Sequence, residues 1–190
     1  MILEAGCALM AEKGFRNFSA RAVAKAIGYS VGTIYNVLGD FDALILAINA
    51  ETLRRWAAHL EACLDRTGNA RIAALIDGYF DFAEANPNLW GALYEHRLDG
   101  EMPEWYRAEL AQLLAIVGRE VRVAAPDLEA EDADRLAASL LAMVHGHAAY
   151  ALDGTFARIG IADPRAIALA RAEDVLTQIS GRTSVARPDR

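Results

Sequence analysis

Apolar residues recur every three to four positions along most of this chain, and no useful stretch alternates apolar with polar. That spacing predicts helices and no strands. Residues 1–13 read as a first helix closed by Gly14. Ser19 is placed to cap a short helix ending at Gly28, and Ser30 to cap another running to about Val37, with Gly39 ending it. Asp40 then caps a long helix to about Asp65, whose apolar row is Phe41, Ile45, Ile48, Thr52, Trp56, Leu60 and Cys63. After a turn at Arg66–Asn69, Asn86-Pro87 marks another helix start, because proline is tolerated at the first helical position.

Beyond Gly100 and Pro103, a helix runs to about Val123 and is broken at Ala125-Pro126-Asp127. The next, from about Glu131 to Leu152, carries Leu136, Leu140, Val144, Ala148 and Leu152 in one row. Asp163-Pro164 opens a last helix to about Ile179, and Ser180–Arg190 reads as a frayed polar tail. The expectation is an all-α fold of about nine helices without internal repeats.

The stretch from Phe15 to Ile48 is the most specific. Its two short helices, Ala20 to Ile27 and Val31 to Val37, flank a tight turn at Gly28-Tyr29-Ser30, where glycine suits a positive φ. Ala24, Ile27, Ile34 and Leu38 are spaced to pack on each other and on Leu9 and Leu44. This is the pattern of a helix-turn-helix, whose second helix enters the DNA major groove, and equally of an ordinary helical hairpin.

Composition narrows the classes. With 190 residues, 54% hydrophobic and 24% charged, the chain is long and apolar enough for a real core, which excludes a disordered or collagen-like chain. No apolar run approaches the roughly 18 residues of a membrane span, and no export signal is recognisable. Cys7 and Cys63 are too few for a disulfide framework and are expected to be buried thiols in a reducing cytoplasm. Charge is uneven. Residues 1–45 carry four basic and four acidic side chains, so the whole net charge of −7 falls on the rest. A polyanion would meet the chain through its N-terminal end.

Four groups of residues carry a family resemblance. They are Gly14-Phe15, Phe18-Ser19-Ala20-Arg21-Ala22-Val23-Ala24, Ile27-Gly28-Tyr29-Ser30-Val31-Gly32-Thr33-Ile34-Tyr35, and Ala43-Leu44-Ile45. Together they resemble the TetR/AcrR family of one-component transcriptional repressors; the rest matches in length and helix count. The resemblance implies a homodimer reading a near-palindromic DNA operator. By family position, Ser19, Arg21, Ser30, Thr33 and Tyr35 would hold phosphates, while Val31, Gly32, Asn36 and Val37 would face bases. The chemistry suits those roles. Hydroxyls and helix N-terminal amides donate to phosphate, asparagine pairs with adenine, and valine meets a thymine methyl.

One departure stands out. The family's usual lysine at the start of the fourth helix is Phe41 here, between Asp40 and Asp42. A phosphate contact is lost, two carboxylates sit near the DNA, and Phe41 packs into the domain or braces a neighbouring helix. The sequence also opens inside its first predicted helix, so the basic arm often found upstream is expected to be missing or trimmed.

The implied organisation is a DNA-binding head at residues 1–45, a ligand-binding and dimerisation body at 46–180, and a tail at 181–190. The last two long helices would pair with their counterparts in the dimer. Phe80, Trp90, Tyr94, Trp105, His145, His147 and Tyr150 are candidates to line a pocket for a small apolar or aromatic effector. Gly146 thins the helix between the two histidines.

No cofactor or metal is expected. His145 and His147 diverge by about 200° on a helix, and glycine-rich phosphate fingerprints and a nucleophile beside a base are not seen. The expectation is therefore not an enzyme but a cytoplasmic repressor released from DNA by its ligand. The alternative is a helical small-molecule-binding protein with a weak or vestigial head.

Overall fold

The computed structural model describes the backbone of residues 1–185 and the side chains of residues 1–179. It is all-helical, and among the described residues there is no strand. Ten α-helices follow in order: α1 (Ile2–Lys13), α2 (Ala20–Ile27), α3 (Val31–Leu38), α4 (Phe41–Asp65), α5 (Arg71–Ala85), α6 (Pro87–Glu95), α7 (Glu104–Ala124), α8 (Ala130–Leu152), α9 (Thr155–Arg158) and α10 (Pro164–Val185). A 3-10 turn, Phe15–Asn17, lies between α1 and α2.

Two elements differ from the sequence reading. The four-residue α9 is too short to show a period; it starts where Asp153 Oδ1 accepts from Thr155 N at 2.8 Å. Helix α10 runs past Ile179 to Val185, because no proline interrupts it before Pro188. Residues 186–190 of the expected tail lie outside the described residues.

The chain forms two compact units. The first comprises residues 1–56 and 82–112. Its core includes Met10, Val23, Ala24, Ile34, Leu44, Ile45, Ile48, Leu89 and Ala92, all buried. Helices α2 and α3 have eight residues each, well below the roughly 12–15 at which isolated helices become even marginally stable. They persist because α2 packs on both α1 and α3, and because serine caps hold their N-termini. Each fully buried aliphatic side chain contributes about 1.5–3 kcal/mol.

Within the same unit, α6 braces the N-terminal helices. Asn88 Nδ2 donates to Ala11 O at 2.7 Å, Arg16 pairs with Glu95 at 3.2 Å, and Phe15 lies edge-on to His96. Trp56 and Phe82 stack almost parallel at 5.4 Å between ring centroids.

The second unit comprises residues 57–81 and those from 113 onward. Helix α8 packs on α9 and α10, with Ala133, Ala137 and Ala148 of α8 and Ala168 and Ala172 of α10 buried. Such small residues allow close helix approach. A buried carboxylate is held here by two partly exposed arginines. The Glu120 carboxylate, 1% exposed, accepts from Arg71 Nη2 at 2.9 Å and from Arg119 Nε at 2.8 Å, and Arg119 also reaches Glu61. Hydrogen bonds from Arg71 hold the Glu120 carboxyl below its ordinary range, outweighing the opposing effect of burial.

Candidate nucleic-acid interface and an internal cavity

The head leaves its predicted DNA residues exposed or only partly buried. Ser19 accepts from Ala22 N at 3.2 Å and caps α2, whose apolar face, Ala20, Val23 and Ala24, is buried. Arg21 and Lys25 on the same helix are exposed. Helix α2 ends at Gly28, which adopts φ +75°, ψ +25°, so that Tyr29 N returns to Ala24 O at 2.9 Å. A residue with a Cβ is strained in that conformation.

Ser30 then caps α3 by accepting from Thr33 N at 3.2 Å, and its hydroxyl lies 3.0 Å from that of Thr33. A serine whose oxygen is engaged by an amide still has its own O–H to offer a phosphate. Ile34 is fully buried, Val31 and Tyr35 are partly buried against the core, and Ser30, Gly32, Asn36 and Val37 are exposed.

Gly32 is informative by what surrounds it. A Cβ built there would meet nothing nearer than Ser30 Oγ at 3.6 Å. Nothing in the protein's own packing requires glycine at this exposed N-terminal turn.

The residues around Phe41 find partners within the first unit. Phe41 packs on the head's core, 6.2 Å from the Phe18 ring centroid. Asp40 Oδ1 accepts from Ala43 N at 2.7 Å and caps α4; Asp42 Oδ1 accepts from His96 Nε2 at 2.9 Å. Both flanking carboxylates are thus engaged within the first unit.

The aromatic candidates fall into separate groups. In the first unit, Trp90 is buried and tilts against Tyr94 at 5.1 Å, whereas Tyr94 and Trp105 are about half exposed. In the second unit, Phe80 is buried beneath the Arg165 guanidinium, 5.3 Å from its ring centroid. His145 Nδ1 lies 2.9 Å from Tyr79 Oη, and burial lowers the pKa of that imidazole. His147 Nδ1 donates to Met143 O at 2.8 Å, and both His147 and the exposed Tyr150 lie against Phe156. A Cβ at Gly146 would meet nothing within 4 Å.

A cavity of about 270 Å³ opens inside the first unit. Leu46 and Asn49 of α4, Leu93 of α6 and Tyr106 of α7 form much of its wall. His96, Leu98, Gly100 and Met102, between α6 and α7, complete it, and none of the seven aromatic or histidine candidates lines it. Asn49 is 1% exposed; its Nδ2 donates to Ala92 O at 3.3 Å, and its Oδ1 is buried with no hydrogen-bond partner. Burial raises the pKa of the neighbouring Tyr106 phenol, partly opposed by the Asn49 carboxamide.

Comparison with known families decides the affiliation. Residues 2–48 match "Bacterial regulatory proteins, tetR family", and residues 72–175 match "Tetracyclin repressor-like, C-terminal domain". The chain belongs to the TetR family. It is a transcriptional regulator, of a class that is not enzymatic.

Solved structures with the TetR-family fold agree. A protein of unknown function from Rhodococcus sp. RHA1 is 24% identical over 94% of this chain and 93% of its own, with a TM-score of 0.73. The TetR-family regulator PfmR from Thermus thermophilus is 17% identical over 93% and 97%, with a TM-score of 0.62. The regulator FadR from Bacillus subtilis, solved in complex with stearoyl-CoA, is 16% identical over 94% and 97%, with a TM-score of 0.65. At these identities the likeness concerns the fold. No curated protein matches the chain.

Sequence reasoning on this TetR-family chain missed residues that the structure brings forward. Tyr29, in the turn before α3, is a large side chain left 51% exposed. Asn49 also had a readable signal: it is a carboxamide beside the buried row of Ile45, Ile48 and Thr52.

Proposed function

We propose that this protein is a homodimeric repressor that binds a palindromic operator through α2 and α3 and is released by a small molecule. The observation that carries the DNA-binding part is the two-sidedness of the head. Ala24 and Ile34 fill its core, while Arg21, Ser30, Gly32 and Asn36 lie outside, among them a glycine that internal packing does not require. Ser19, Arg21, Ser30, Thr33 and Tyr35 hold phosphates, and Val31, Gly32 and Asn36 approach base edges.

Residues 1–45 act as the DNA-binding head and 46–180 as the regulatory and dimerisation body, at work in the cytoplasm where the DNA is. Helices α8 and α10 supply the dimer contact, consistent with their exposed apolar side chains Tyr150, Leu152 and Ile167. Two recognition helices must meet successive major grooves roughly 34–36 Å apart, so a ligand that favours another spacing costs one half-site its contacts. That FadR was solved with stearoyl-CoA supports ligand control in this fold.

Selection from random-sequence DNA, combined with light scattering of the free protein, tests this reading. The expected result is a dimer that enriches an inverted repeat with half-sites one helical turn apart. A monomer that enriches no sequence would overturn it.

A further inference from the structure

The cavity in the first unit combines a shape, a polar demand and a connection to the head. Its volume, about 270 Å³, is below the usual range for drug-sized ligands, whereas a cavity of about 150 Å³ holds a benzene ring. Leu46, Leu93, Leu98 and Met102 give it apolar walls, and a methionine thioether packs well against aromatic rings.

The polar groups specify more. Among the described residues Asn49 Oδ1 is buried with no hydrogen-bond partner, its carboxamide neighbours the Tyr106 phenol, and a ligand hydroxyl would supply the missing donor. His96, whose Nε2–H donates a hydrogen bond to the Asp42 carboxylate, adds a second polar ring to the wall. Among the described residues no lysine or arginine lines the cavity, so a carboxylate or phosphate would enter without a counter-charge from them.

We propose that this cavity binds a compact, uncharged molecule about one ring in size, whose hydroxyl donates to Asn49 Oδ1. This deepens the regulator reading above and rests on it for its regulatory consequence. Within the first unit, His96 is shared between the cavity wall and the bond to Asp42 in the first turn of α4, next to α3. A molecule seated against His96 therefore acts on the residue that ties α4 to the end of α6.

The test uses the full chain with ¹³C-methyl methionine, titrated with p-cresol, toluene and 4-methylbenzoate. The Met102 signal is identified from a Met102→Leu variant, and Met1, Met10 and Met143 serve as internal references. The expected result is a saturable Met102 shift with p-cresol, about tenfold weaker binding of toluene, and no response to 4-methylbenzoate. Asn49→Leu should bring p-cresol down to the toluene level.

If that variant does not fold, the ranking of the three probes on the wild type still decides. A Met102 signal unmoved by millimolar p-cresol, or equal affinity for toluene, overturns the site. Binding to the DNA upstream of the gene is measured on the same sample without probe. Intact DNA binding with a silent Met102 overturns the cavity proposal alone, and a responsive Met102 without DNA binding overturns the regulator reading alone.

Discussion

Asp42 Oδ1 accepts a hydrogen bond from His96 Nε2 at 2.9 Å, which joins the first turn of α4 to the residue following α6. His96 is almost fully buried, with its side chain 6% exposed, while Asp42 is 47% exposed. An aspartate in a first helical turn also complements the helix dipole. Asp42→Ala and His96→Ala should each lower stability by about 1 kcal/mol. The double variant should show a coupling of about 0.5–1 kcal/mol in denaturant titrations. Strict additivity would mean that the bond contributes nothing.

Gly32 separates folding from DNA binding. A Cβ there has room inside the protein, and alanine is the better helix former by up to about 1 kcal/mol. Gly32→Ala should leave the melting temperature unchanged or slightly raised, yet weaken DNA binding at least tenfold because the added methyl enters the groove. Unchanged DNA affinity would remove Gly32 from the interface.

Glu120 supplies a pH signature. Its carboxyl pKa is lowered, chiefly by the hydrogen bonds from Arg71, so its stabilisation is fully present above its ordinary value of about 4.5. That stabilisation is lost as pH falls through the folded value. Glu120→Gln should cost about 2–3 kcal/mol at neutral pH, since both guanidiniums lose their buried counter-charge. Thermal melts of the variant should also lack the acid-side decline that this group gives the wild type.

His145 acts in a higher pH window. Burial lowers its pKa from the ordinary 6.5, so the unfolded chain takes up this proton before the folded one does. The resulting stability is complete above about pH 6.5 and falls as pH drops through the folded value. The His145 ring resonance should titrate below 6.5, and His145→Gln should flatten the stability profile just under that pH. A ring titrating at or above 6.5 would contradict the burial argument.

Much of the head was legible because its signals are local. Ser19, Gly28 and Ser30 act within a few residues, and their caps and turn appear where the spacing of the chain predicts them. The row from Ile45 to Cys63 on α4 is buried as its period requires. What could not be read depends on long-range pairing. That Asp42 meets His96, and that Glu120 meets Arg71, follows from how helices distant in sequence pack.

The cavity is not legible in the sequence for a related reason. It is a space left between α4, α6 and α7, not a cluster of aromatic residue types. Helix α9 has four residues, fewer than one period can reveal.

Fluorescence anisotropy on the DNA upstream of the gene, at several salt concentrations, tests the central claim most directly. The wild type should bind tightly at low salt and lose affinity steeply as salt rises, since phosphate contacts release counterions. Arg21→Ala should weaken binding and make the slope of log affinity against log salt shallower by about one. No binding at low salt, or an affinity indifferent to salt and to Arg21, would contradict a DNA-reading head.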